Sequence, residues 1–221
     1  MRRIALGALL IVAGAALLIP AAQGSGAKAR KTWQVTITNL TPAGSQPLSP
    51  PLLVVHSHRA DVWSVGAVAS HSVAAIAEDA NNAPAESALT GHPGVLSVQT
   101  GAGGPIPPGT SRSYSIQSRG KFNRLTLLTM LVNTNDGFTG LDSMHLRGRG
   151  FTRSTNAYDA GSERNNELVG FIPGPCCNHP FVRDPEGALI RMHGGITGVG
   201  DLNPAVYGWT GPAARIQVSR G

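Results

Sequence analysis

Two short acidic stretches hold the residue types most able to do chemistry. The first, Asn133-Thr134-Asn135-Asp136-Gly137, follows a run of apolar residues, and the second is Asp159-Ala160-Gly161-Ser162-Glu163. Calcium is a hard cation that takes six to eight oxygen ligands, and loops at strand ends supply them from carboxylates, Asn side chains, backbone carbonyls and water. Asp136, Asp159 and Glu163 would bring the charge, while Gly137 and Gly161 would let the backbone turn its carbonyls inward. The chain has only 12 Asp and Glu in 221 residues, so three in two such loops is a notable concentration. Asn-Asp-Gly and Asp-Ala-Gly are also ordinary turn sequences in which Asp caps its own backbone. The residue types alone leave both readings open.

Other constellations point away from catalysis. His56-Ser57-His58 has the spacing that puts two imidazoles on one strand face, with carboxylates available at Asp61, Glu78 and Asp79. No third ligand at a metal-site spacing accompanies the pair, so these read as structural or surface histidines. Glu78-Asp79 reads as a solvated pair, and His193 belongs to a Gly-rich tail that could approach the acidic loops. Neither Gly-x-Ser-x-Gly nor His-Glu-x-x-His occurs. The two cysteines, Cys176 and Cys177, are adjacent and cannot staple distant segments. They are expected as two partly buried thiols in a Pro-rich loop. The expectation is that the chain is not an enzyme.

The elements that must position the acids are short strands. Trp33 to Thr38 alternates apolar and polar residues, as does Ala214 to Ser219. Leu52 to Val55, Val95 to Val98 and Ser111 to Ser118 read as further strands. Arg124 to Val132 is the most apolar stretch after the N-terminal run, which predicts a central place in a sheet. Val62 to Ala88 changes to near-helical spacing and predicts one or two short helices. With 28 glycines and 16 prolines punctuating these runs, the fold class expected is an all-β antiparallel sandwich.

The chain opens with Met1-Arg2-Arg3, an apolar run from Ile4 to Pro20 and small residues from Ala21 to Ser25. This is the pattern of a cleaved secretory signal peptide over 1–24. A flexible segment over 25–32 and one domain over 33–221 would follow, placing the protein outside the cell or in the periplasm. The formal net charge is +6, with Lys28-Ala29-Arg30-Lys31 and Arg147-Gly148-Arg149 as the only basic clusters. No basic stripe interleaved with aromatics suggests nucleic acid.

Asn133 to Leu141 followed by Asp159 to Glu163 resembles the pair of loops that marks the spondin domain of F-spondin, mindin and shorter bacterial secreted proteins. Animal members tend to read Pro-Ser-Pro-Asp-Trp-x-x-Gly and Asp-Ala-Gly-Thr-Asp at these loops. The opening Trp33 to Leu40, the segment Ala77 to Pro84 and the closing Gly211 to Val218 agree as well. The resemblance implies a sandwich similar to calcium-dependent membrane-targeting domains, with one calcium ion held by Asp136, Asp159 and Glu163. It implies adhesion, through an extracellular or cell-surface protein, a glycan or a lipid headgroup, by a monomer. Gly137 replaces an aromatic of the animal members, Arg164 adjoins a ligand position, and the animal cysteines are missing, which suggests a bacterial-type member. Two other readings stay open: a secreted metal-dependent hydrolase using the same edge or His56 and His58, and a ligand-free structural envelope protein.

Overall fold

The alternation of Trp33, Val35 and Ile37 is the inner face of β1 (Arg30–Asn39) in a computed structural model that describes residues 28–221. The expected signal peptide lies outside the described residues. β1 pairs antiparallel with β4 (Ser111–Arg119) on one side and β10 (Ala214–Arg220) on the other. β7 (Gly150–Thr155) completes a four-stranded sheet in the order β4-β1-β10-β7. Its outer face is polar, with the Thr36 and Ser113 hydroxyls 2.7 Å apart and those of Thr38 and Ser111 2.9 Å apart. β1 begins inside the 25–32 segment expected to precede the domain, because Arg30 to Thr32 pair with Arg119 to Gln117.

The second sheet has six strands in the order β3-β2-β5-β6-β8-β9. These are β2 (Leu52–His56), β3 (Val95–Thr100), β5 (Arg124–Met130), β6 (Gly137–His145), β8 (Ala157–Asp159) and β9 (Arg191–Met192). The two sheets pack as an antiparallel β-sandwich, and β5 is central, as its apolar run predicts. β2 and β5 are almost wholly buried because both faces are covered. One face meets the four-stranded sheet through Leu53, Val55, Leu125 and Leu127, with Ile37 and Ile216 opposite. The other carries Leu52, Val54 and Leu128 beneath two short helices, α1 (His71–Asp79) and α2 (Ala83–Leu89). Each such buried side chain contributes about 1.5–3 kcal/mol.

Ser70 caps α1 by accepting from the Val73 N–H at 3.3 Å, and the helix ends where Ala80 turns left-handed at φ 56. β6 escapes sequence reading because Gly137 and Gly140 interrupt its pattern. Gly140 is required there, since a Cβ would collide with the Leu127 carbonyl of the neighbouring strand. The remaining chain, from Asp159 to Gly211, is mostly irregular and includes a 3-10 turn (Val169–Phe171) and a single helical turn, α3 (Pro204–Tyr207). No helix among the described residues is long and apolar enough to cross a membrane.

Candidate metal centre

The β5–β6 turn and the end of β8 meet because β6 and β8 pair, with Gly137 opposite Asp159 and Phe138 opposite Tyr158. Strand alternation sends Phe138 and Tyr158 toward Trp63, whose ring centroid lies 5.0 Å from each. This aromatic packing holds the register that brings Asp136 beside Asp159. The ladder then continues past the strand, with the Ala160 N–H donating to the Asp136 carbonyl at 3.2 Å. Gly161, at φ 69, turns the chain where a Cβ would strike the Ala188 backbone. That turn places Glu163 against a strap at residues 184–188.

All three acids lie inside the protein: Asp136 is 0 %, Asp159 2 % and Glu163 1 % exposed. Asp136 Oδ2 accepts from Ser162 N at 2.8 Å, Glu163 N at 3.0 Å and Ser162 Oγ at 3.2 Å. Its Oδ1 is buried with no partner. Asp159 is better served: Oδ1 accepts from Gly161 N at 2.7 Å, and Oδ2 accepts from Asn165 Nδ2 at 2.6 Å and pairs with Arg191 Nη2 at 2.8 Å. Neither oxygen of Glu163 accepts a hydrogen bond. Arg183 Nε lies 3.2 Å from Glu163 Oε1 and 2.6 Å from Glu78 Oε2 as ion pairs, and its Nη2 donates to Asp79 Oδ2. The guanidinium is thus engaged by α1, and the short approach gives Glu163 charge nearby without a hydrogen bond.

The electrostatics follow from this packing. Burial, then the neighbouring Asp159, pushes the Asp136 carboxyl up to about 7 against the pull of its Ser162 and Glu163 donors. Burial, then repulsion from Glu78, Asp136 and Asp184, pushes Glu163 up to about 9. Asp159 is also raised, since burial outweighs its donors and Arg191. A buried ionised carboxylate without donors is costly, so such a site takes up either protons or a cation. The unpaired oxygens of Asp136 and Glu163 are hard donors of the kind calcium takes. Among the described residues, no three His, Cys, Asp or Glu side chains are drawn together as a ready-made metal set.

Several residues around the acids differ from their sequence reading. Glu78 and Asp79 are not a solvated pair: at the last turn of α1 they grip Arg183, and Asp79 also accepts from the Phe181 N–H at 3.0 Å. Nothing in their sequence context signals this, because the partner lies about a hundred residues away. Arg164 turns outward to Asp184, so the cations beside the acids are Arg183 and Arg191 instead. Asn133 and Asn135 are fasteners: the Asn133 Oδ1 accepts from Cys176 N, and the Asn135 Oδ1 from Glu167 N, both at 3.3 Å. His193 does reach this region, lying beside Gly137, as a Cβ on that glycine would sit 3.1 Å from its ring. Its Nδ1 accepts from Gly195 N at 2.9 Å, so the proton is on Nε2, and burial lowers its pKa to about 4.

The histidine pair is not brought together. His56 is buried, with Nδ1 2.9 Å from the Ser57 carbonyl and Nε2 2.8 Å from Thr126 Oγ1, whereas His58 is exposed beyond the strand end. Burial lowers the His56 pKa, so it is a neutral, fully bonded core group. Cys176 and Cys177 are not free thiols but are bonded to each other. They pack on Ile172, Ile196 and Leu202, a small cluster separate from both sides of the six-stranded sheet. A depression of about 530 Å³ near this loop is walled by Pro47, Pro105, Pro107, Pro173 and Pro175 and touches none of the three acids. No protein-family profile matches the chain, and no curated protein matches it.

Proposed function

We propose that this chain is an exported, non-catalytic binding module of the spondin type, with one calcium ion held at its acidic edge by Asp136, Asp159 and Glu163. The observation that carries the reading is the set of buried carboxylate oxygens without donors: Asp136 Oδ1 and both oxygens of Glu163. Proteins rarely bury such groups unpaired, and a divalent cation would compensate them together. The spondin resemblance rests on the quoted loop motifs and on the sandwich fold they imply. Three carboxylates around one calcium leave about one net negative charge, which Arg183 and Arg191 moderate. The three carboxylates are not drawn together as placed, so they would close on the ion, with carbonyls and water completing the shell. Adhesion to an extracellular or cell-surface protein, glycan or lipid headgroup follows from the family analogy alone. The basic start and apolar run of residues 1–24 support export.

A second reading has its own support. Without metal Glu163 keeps its proton at pH 7 and Asp136 is about half protonated, which suits a ligand-free structural protein. Thermal unfolding in excess EGTA and in millimolar calcium separates the two. Calcium at a hundredfold excess over its dissociation constant stabilises by about 2.7 kcal/mol, so Tm is expected to rise by roughly 5–10 °C. Asp159→Ala should lose that rise. An identical Tm in both buffers would leave only the structural reading.

A further inference from the structure

We infer that the end of the sandwich opposite the acidic loops is a groove for a linear acidic polysaccharide. β5 runs from Arg124 at this end to Met130 next to the acidic turn, so the strand itself separates the two regions. The fold joins here what the chain keeps apart. The cluster at Lys28, Arg30 and Lys31 opens β1, and Arg147 and Arg149 occupy the turn before β7. Arg119 closes β4, the strand beside β1.

Lys28, Lys31, Arg119 and Arg147 line a hollow of about 470 Å³, with Asn123 as a neutral polar wall. A second hollow of about 350 Å³ shares Lys28 and Arg119 and extends to Lys121. A third, of about 320 Å³, shares Arg147 and extends to His145 and Arg153. Shared walls make the three one track across the strand ends. Beside the track, Arg30 of β1 pairs with Arg119 of β4, and Arg220 closes β10 next to Arg149.

The charge here is uncompensated. Every ion pair among the described residues involves Arg164, Arg183 or Arg191 at the other end of the molecule. A concave surface lined by one sign of charge focuses potential and attracts an oppositely charged ligand. Arginine forks donate to carboxylate or sulfate in two-point contacts, while Asn123 suits sugar hydroxyls.

The surroundings select the class of polyanion. A membrane surface calls for apolar side chains that insert, yet the prominent exposed ones, such as Val65, Val68, Phe181 and Leu189, belong to other loops. Single-stranded nucleic acid stacks its bases on aromatic faces. The two aromatics of this track are both half-buried: Phe122 has the Lys121 ammonium 5.0 Å over its ring, and Phe151 packs against the core between the sheets. A sugar chain bearing carboxylate or sulfate groups needs neither feature. This site is independent of calcium and names the kind of glycan that the proposed module would meet.

The test is affinity of the purified protein, at physiological salt, for heparin and polygalacturonate, with neutral dextran, phosphatidylserine vesicles and oligo-dT as comparators. Heparin or polygalacturonate should bind best, and Lys31→Glu with Arg147→Glu should weaken that binding by at least about tenfold. The charge-matched pair Arg59→Glu with Arg215→Glu, both exposed and neither lining the track, should change it by less than about twofold. Equal losses in the two double variants, tighter binding to vesicles or oligo-dT, or retention on dextran would overturn the proposal. Loss of binding in EGTA would move the site to the acidic edge and overturn it too. Failure of the calcium reading leaves the expected outcome unchanged.

Discussion

Glu163 and Glu167 lie four residues apart, are both buried, and are treated in opposite ways. The Glu167 carboxylate accepts from Thr197 N and Gly198 N at 2.6 Å, Thr197 Oγ1 at 2.9 Å and Val199 N at 3.1 Å. It fastens the 160s loop to the turn after β9, and its charge is spread over four donors. Glu163 accepts from none. The same loop therefore can satisfy a buried carboxylate, and its failure to do so at Glu163 is specific to that position. Glu167 behaves as a component of the fold, whereas Glu163, with Asp136, behaves as half of a site whose other half is a proton or a cation.

The contrast breaks most sharply at Glu167. Removing it as Glu167→Ala strands four donors in the interior, and chemical denaturation should show a loss of about 3–5 kcal/mol, equal in calcium and in EGTA. A calcium-dependent loss would show that the two glutamates share one role. At Glu163 the effect should be smaller and opposite in sign without metal. Glu163→Gln removes a buried ionisable group that has no hydrogen-bond donor and whose charge is disfavoured despite Arg183, and in EGTA at pH 8 it should gain on the order of 1 kcal/mol.

The pH dependence sharpens the same point. Asp136 and Glu163 have pKa values raised in the folded state to about 7 and about 9. The folded protein then binds more protons than the unfolded chain above about pH 4, so stability falls as pH rises. Below about pH 6.5 the buried neutral His56 and His193 act in the opposite sense, so without calcium Tm should decline from pH 7 through pH 9, and Glu163→Gln should flatten that decline. A wild-type Tm that is level over this range would contradict the unpaired geometry. The smallest effect belongs to Cys176→Ser with Cys177→Ser. Adjacent cysteines close no long loop, so the change in stability should stay well under the about 2 kcal/mol of an ordinary bridge.

Much of the architecture was legible from residue pattern. Period-two alternation marked β1 and β10, and the apolar run marked β5 as central, because a strand covered on both faces cannot keep a polar side. The strands that build the site were not legible. β6 carries Gly137 and Gly140, and the latter answers to the carbonyl of a neighbouring strand. β8 and β9 are three and two residues long. Such elements are set by pairing across the chain, which local pattern does not encode.

The chain by itself determined the sandwich class, the acidic residues in two turn-forming loops and the presence of two basic clusters, since each depends on local residue types or short-range periodicity. Tertiary structure decided that Asp136 and Glu163 keep oxygens without donors and that Glu167, nearby in sequence, does not. It decided that Arg183 is engaged by Glu78 and Asp79, and that the two basic clusters share one groove. Burial, donor direction and charge neighbourhood all arise from segments distant in sequence, so they exist only once the sheets have paired and the loops have closed over their ends.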